Sequence, residues 1–369
     1  MKFVFRADAS VQIGAGHVMR CLTLAGELRE KSAGVTFVCR ELPGNLCGLI
    51  EKKGYTVHRL PGKEQLTAGN MRRGRNAQPG RSWEEDAEQT RAVLESARGA
   101  DWVIVDHYEL DSRWESLLRA CAKKIMVIDD LADRPHDCDL LLDQNFYQNM
   151  EARYDGLAPD HCRKLLGPGY ALLRPEFRDA GKRLKGRDGS VRRILIFYGG
   201  SDPTGETAKA LEAIRAINCL GIAVDVVVGG VNPQRDKLKR ICSDMPFVFL
   251  YCQVDNMAEL MVGADLALGA GGTANWERCF LGLPSIVTVV AQNQYETAKA
   301  AASAGALRLL GWFNEVSAEN LRDAIEAALS SPASLLEMGK KAVEIMGSPL
   351  SEGNCAVIQA LMEASRAEA

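Results

Sequence analysis

The chain is expected to fold as an α/β protein with two doubly wound parallel-sheet domains, and three features carry that expectation. Strand-like apolar runs alternate with amphipathic helical stretches from end to end. The alternation weakens through 150–190 and then restarts. At 369 residues the chain also exceeds the usual size of a single core.

In the first half the strand candidates are 2–6, 35–39, 55–59, 101–105 and 124–128, with a short addition at 139–142. Helical periodicity lies at 17–31, 44–53, 85–99 and 112–122. The polar, glycine-rich stretch 61–82 has no periodicity and reads as a rim loop, either a functional lid or a tolerated insertion. In the second half the strands are RRILIF from 192, AVDVVV from 223, FVFLY from 247, DLALGA from 265, PSIVTVV from 284 and ALRLLG from 306. Helices at 204–217, 234–243, 255–263, 273–281, 294–303 and 317–330 fit between them. The joint near 168–190 divides the chain into 1–170 and 171–369. A last helix, about 352–367, follows a SPLSEGN break and either caps the second domain or crosses back to the first.

Composition excludes several classes. Hydrophobic residues are 47% and charged residues 25%, as in ordinary soluble domains. The net charge of −3 and the isolated KRLKGR cluster at 182–187 argue against a nucleic-acid partner. No apolar run of about eighteen residues suggests a membrane span, and the opening strand-like run is unlike a secretion signal. Eleven cysteines include no C-x-x-C pair, so reduced thiols in a cytoplasmic protein are expected.

The chemistry-bearing residues cluster at strand ends. His17 follows Phe3-Val4-Phe5 and a turn carrying Gly14 and Gly16, which puts it in the first turn of a helix. Ligands of open α/β sheets bind beyond the carboxyl ends of the strands. Positive partial charge at the helix start disfavours a proton on the imidazole, as a general base requires. Asp106, with His107 and Tyr108 behind it, and Asp129-Asp130 end two further strands. Magnesium binding, sugar-hydroxyl binding, orientation of His17 and helix capping all remain open for these aspartates, with hydroxyl binding and orientation ranked above metal. His58, His136 and His161 lack companions, so core or surface roles suffice.

Two glycine turns mark the second half, Gly199-Gly200-Ser201-Asp202 and Gly269-Ala270-Gly271-Gly272-Thr273. Each lies between a strand and a helix, where backbone N–H groups approach phosphate closely. Neither is a G-x-G-x-x-G fingerprint or a P-loop, which argues against a nicotinamide cofactor. Glu277 can hold vicinal hydroxyls or stabilise its helix, and Gln292-Asn293-Gln294 adds a polar edge. Two such domains facing each other would form a cleft, with the His17 turn on one wall and the glycine turns on the other.

Taken together, RADAS-x-x-IGAGHVMRCLTLA, VDHYELD, VIDDLADRPHDCDLLLDQN, LLGPGYALLRPEF, IFYGGSD and GAGGTANWERCFLGLPSIVTVVAQNQ resemble the UDP-2,4-diacetamido-2,4,6-trideoxy-β-L-altropyranose hydrolases of pseudaminic acid biosynthesis. The resemblance implies a GT-B architecture of two Rossmann-like domains, related to the peptidoglycan N-acetylglucosaminyltransferase. It implies His17 as catalytic base. Gly199, Gly200, Ser201, Gly271, Gly272 and Thr273 would face the diphosphate, and Glu277 the ribose. Asp8, Gly14, Gly16, Arg20, Asp106, Tyr108, Asn275 and Gln294 would lie on the sugar side. The implied partner is a small UDP-sugar bound by a monomer, with no cofactor and no metal. An inverting glycosyltransferase and a non-catalytic nucleotide-sugar-binding protein remain the alternatives.

Overall fold

The computed structural model describes residues 1–62, 83–184, 186–217, 221–230, 232–347 and 356–366. Most of the stretch 61–82, together with Lys185 and the SPLSEGN break, lies outside the described residues. The chain forms two compact units. The first comprises Met1–Gln144, Asn149–Leu166 and Asn354–Ala369, and the second comprises Asn145–Gln148 and Gly167–Gly353. From sequence the division had been set after residue 170.

In the first unit the order is β1 (Lys2–Ala7), α1 (Gly16–Glu30), β2 (Gly34–Arg40), α2 (Cys47–Lys52), β3 (Thr56–Leu60), α3 (Trp83–Ser96), β4 (Ala100–Asp106), α4 (Ser112–Leu118), β5 (Ala122–Ile128), β6 (Leu140–Asp143) and β7 (Arg163–Leu166). The strands pair in the order β3-β2-β1-β4-β5-β6-β7, all parallel. Continuous apolar strands such as Trp102–Val105 and Ile125–Ile128 are buried on both faces, as a helix-covered parallel sheet requires.

The second unit continues with α5 (Pro175–Lys182), β8 (Arg193–Phe197), α6 (Glu206–Ala216), β9 (Ala223–Val228), α7 (Arg235–Ser243), β10 (Val248–Cys252), α8 (Met257–Gly263), β11 (Leu266–Ala270), α9 (Ala274–Phe280), β12 (Ser285–Val289), α10 (Tyr295–Ser303), β13 (Arg308–Trp312), α11 (Ala318–Leu329) and α12 (Pro332–Ile345). Its sheet order is β10-β9-β8-β11-β12-β13, again parallel throughout. Successive residues of β8 feed opposite cores. Ile194 and Ile196 pack with Leu211 and Ile214, whereas Leu195 packs with Met257 and Trp276.

The last helix, α13 (Ala356–Arg366), belongs to the first unit. It buries Val357, Ile358, Ala360 and Leu361, and its Ser365 Oγ accepts a hydrogen bond of 2.8 Å from Trp102 Nε1. Three elements were absent from the sequence expectation. β7 is four residues long and sits at the sheet edge, too short to display alternation. α5 opens on Pro175, a residue suited to the first helical turn, but buries just Phe177 and Ala180. α12 also opens on a proline, Pro332.

In each sheet the strand order reverses at one place, between β1 and β4 in the first and between β8 and β11 in the second. At such switch points the connections leave in opposite directions and open a crevice at the carboxyl ends of the strands. In register, Ala7 lies beside Asp106 and Phe197 beside Gly269.

Candidate active-site residues in each unit

At the switch point of the first unit, the chain leaves β1 through a tight turn. Ser10 Oγ accepts from Ile13 N at 2.9 Å, and Gly14 N donates to Ser10 O at 2.8 Å. Gly14 has a φ of 83°, a left-handed conformation that glycine adopts without strain. Gly16 then opens α1, with no atom within 4 Å of where its Cβ would stand. His17, Arg20 and Cys21 follow at i, i+3 and i+4 and so share one helix face.

That face meets Asp106 at the end of β4. Asp106 is fully buried, and its Oδ1 lies 2.5 Å from His17 Nδ1. Arg20 clasps the same carboxylate with both prongs, Nε to Oδ2 and Nη2 to Oδ1, each at 2.6 Å. Cys21 Sγ donates to Oδ2 at 3.5 Å, and Arg20 Nη1 reaches Asp130 Oδ2 at 3.2 Å. Burial alone would raise the Asp106 carboxyl, but Arg20 and then His17 hold it well below the usual carboxylate range. An ionised carboxylate accepts and never donates, so the hydrogen between it and the imidazole sits on Nδ1. The 3.3 Å approach of Arg20 Nη2 to Nδ1 is then not a hydrogen bond, because both atoms carry hydrogen. In the neutral ring the lone pair is left on Nε2. Tyr108 packs edge-to-face on the imidazole, with centroids 4.5 Å apart and planes at 82°.

Asp8 stands apart from this group. Arg6 binds it through two bonds of 2.6 and 2.8 Å, Arg40 N donates to it at 2.7 Å, and His107 Nε2 is 3.4 Å away. Arg6 also bonds Asp86, which pairs with Arg40 and accepts from Trp114 Nε1. Asp8, Asp86 and Arg6 are all buried, so this network joins β1, β2 and α3 as a charge-balanced brace. Burial opposes ionisation of Asp8 and Asp86, yet the arginines hold both well below the usual range. Asp129 belongs to another buried cluster, with Arg134 at 2.9 Å and Tyr154 at 3.0 Å. His136 is bonded through Nδ1 to Glu115 at 2.8 Å.

The two glycine turns of the second unit differ in charge. After β8, Gly199 adopts a φ of 98°, and Asp202 turns back onto α6. The Asp202 carboxylate accepts from Glu206 N at 3.0 Å and Thr207 N at 2.8 Å, taking donors an external anion would use at the start of that helix. Ser201 is exposed beside it.

After β11 the arrangement is the reverse. Arg278, a residue the motif reading passed over, lies under the turn with 1% exposure. Its Nη2 donates to Ala270 O at 2.7 Å and to Asn275 Oδ1 at 3.2 Å. A Cβ on Gly269 would stand 2.7 Å from Arg278 Nη1 and 2.7 Å from Phe197 O, so glycine is required there. Arg278 Nε and Asn275 Nδ2 are buried with no hydrogen-bond partner among the described residues. Gln294 anchors its Oε1 on Val290 N at 3.1 Å and lies over Gly271 and Gly272. Thr273 immediately precedes α9. Glu277 Oε1 accepts from Arg174 Nε and Nη2 at 3.2 and 3.1 Å. Burial raises the Glu277 carboxyl, with Arg174 opposing. The signal for Arg278 was available in the sequence: a cation inside the apolar helical run NWERCFLGL must be buried or turn the helix outward.

Residues 194–351 match the glycosyltransferase family 28 C-terminal domain. A UDP-2,4-diacetamido-2,4,6-trideoxy-beta-L-altropyranose hydrolase of Campylobacter jejuni is 29% identical over 262 residues, covering 71% of this chain and 81% of that protein. An uncharacterised protein of Methanocaldococcus jannaschii is 26% identical over 302 residues, covering 80% of this chain but 57% of its own length. The chain therefore spans little more than half of that relative. Among solved structures, MurG of Acinetobacter baumannii superposes with a TM-score of 0.64 at 13% identity, covering 98% of this chain and 99% of that one. The architecture is GT-B.

Proposed function

We propose that the chain hydrolyses a nucleotide sugar, UDP-2,4-diacetamido-2,4,6-trideoxy-β-L-altrose, to UDP and the free sugar. The observation that carries the proposal is the setting of His17. Its Nδ1–H is committed to a buried, ionised Asp106, and Nε2 is left as the basic nitrogen. The similarity to the Campylobacter jejuni hydrolase supports the choice of substrate.

In this reading the second unit holds UDP through the Gly271-Gly272-Thr273 turn, with Gly199, Gly200 and Ser201 as the neighbouring backbone and Glu277 toward the ribose. Water attacks the anomeric carbon and its proton passes to His17 Nε2. The bond from that carbon to the β-phosphate oxygen breaks, its electron pair leaves with UDP, and the anomeric configuration inverts. Asp106 positions the imidazole and stabilises the imidazolium as it forms, while Arg20 keeps Asp106 ionised. General-base assistance of this kind contributes about 10²–10⁴-fold. Asp106 then acts behind His17, not on a sugar hydroxyl, because both of its oxygens are occupied and buried. The same base could instead deprotonate an acceptor hydroxyl, a reading favoured by the family 28 domain match.

The test is to incubate the protein with the UDP-sugar and no acceptor. Hydrolysis predicts stoichiometric UDP and free sugar, and His17→Ala should lower turnover about 10²–10⁴-fold while still binding UDP. UDP release that requires an added acceptor would establish transfer instead. Near-full turnover by His17→Ala would remove His17 from the mechanism.

A further inference from the structure

Two arginines of the second unit, Arg187 and Arg278, are bonded to neutral oxygens and form no ion pair among the described residues, and of the two Arg278 is the one fully buried. Arg278 is buried under the β11 turn, its Nε has no partner, and it forms no ion pair among the described residues. The neighbouring carboxylate, Glu277, is hydrogen-bonded by Arg174 and acts on Arg278 through its field alone, without offsetting the cost of burial. Burying a guanidinium without a counter-charge is costly, and proteins seldom retain one where an apolar side chain would fit. The surroundings are nonetheless built around it. Gly269 gives up a side chain so that the guanidinium can pass, and Ala270 O and Asn275 Oδ1 hold it in place. Asn275 Nδ2, a second buried donor, is also without a partner.

We propose that Arg278 is the built-in counter-charge for the diphosphate, neutralised when UDP occupies the Gly271-Gly272-Thr273 turn and only partly compensated when it does not. The inference rests on the nucleotide reading above and adds a residue and a specificity to it. The guanidinium holds Ala270 O beneath the turn, which commits that carbonyl inward. Its charge also acts across a low-dielectric interior, where it is poorly screened. The first glycine turn carries the Asp202 carboxylate instead, so the phosphates are drawn to the β11 turn. Arg278 is a positioning residue on this account, acting through the turn and through its field.

The experiment measures binding of UDP and of uridine to the full chain by calorimetry, alongside the melting temperature without ligand. Arg278→Met removes charge and hydrogen bonds, and Arg278→Gln keeps a donor for Ala270 O while removing the charge. Loss of a buried charge partner predicts that UDP binds about 30-fold or more weakly to either variant. Uridine affinity should stay unchanged. The ligand-free melting temperature of Arg278→Met should hold or rise, because an unpaired buried cation has gone, whereas a purely structural arginine would lower it. Should Arg278→Met fail to fold, Arg278→Gln carries the comparison. Wild-type affinity for UDP in either folded variant overturns the assignment and leaves the hydrolase reading standing. Equal losses for UDP and uridine also overturn it, since the damage would then be general. A wild-type protein that binds no UDP overturns both.

Discussion

The switch points of the two units are built on opposite plans. In the first, the buried arginines close on carboxylates: Arg20, with His17, on Asp106, Arg6 on Asp8 and Asp86, and Arg40 on Asp86. In the second, Arg278 and Asn275 keep orphaned donors, and Glu277 is a carboxyl pushed upward by burial. A site whose base is tied to a paired carboxylate is ordered before anything binds, which suits a base that must already be aimed. A buried cation without a carboxylate in contact keeps an unscreened field for an anion at the turn above it, which suits a place that holds and releases an anion. On the proposed function, the difference teaches that preorganisation and binding are divided between two parallel-sheet units.

Breaking the first plan should have the largest effect. Asp106→Asn leaves Arg20 without its carboxylate and presents an amide N–H to the imidazole, favouring the wrong tautomer. Turnover should fall about 10²-fold or more, and the first unit should lose about 3–5 kcal/mol as a buried pair is broken. UDP affinity should be unchanged. Steady-state kinetics with denaturant unfolding checks all three.

Acid distinguishes the units next. Asp8, Asp86 and Asp106 have depressed folded-state values, so their contribution is complete above the ordinary carboxylate range and is lost as pH falls below about 4. Glu277 is raised, so its sign is opposite: protonation as pH falls through its folded value relieves the second unit. Amide exchange resolved by unit should therefore show the first unit opening at acid pH before the second. Simultaneous opening would contradict the contrast.

The smallest effects lie within the β11 turn. Gly269→Ala forces a Cβ against Arg278 and the Phe197 carbonyl, an overpacking that should cost about 1–3 kcal/mol and weaken UDP. Gly272→Ala meets just the Gln294 amide, at 3.4 Å. It should leave the unfolding free energy within about 0.5 kcal/mol of wild type while still weakening UDP.

Much of this could be read from the chain. Long apolar runs such as DWVIV and KIMVI gave the buried strands, and Gly14 and Gly16 before His17 marked the turn and helix start. Asp106 could be placed at a strand end, but its choice of partner could not be read. The partner depends on β1 lying beside β4, a pairing across 100 residues that no local pattern encodes. The short edge strand β7 and the proline-led α5 lacked the length for a periodic signal. Asp202 was read as part of a phosphate turn, and its capping of α6 depends on a backbone φ of 39°. Arg278 stood inside a quoted motif, but its missing counter-charge is a property of packing.

The central claim is that His17 Nε2 activates water at the anomeric carbon. It is tested most directly by turnover of the UDP-sugar in ¹⁸O-water without acceptor, followed by mass spectrometry of both products. The account predicts one ¹⁸O in the released sugar, none in UDP, and loss of that labelled sugar in His17→Ala. Label in the UDP phosphate, or unchanged labelling of the sugar by the alanine variant, would contradict it.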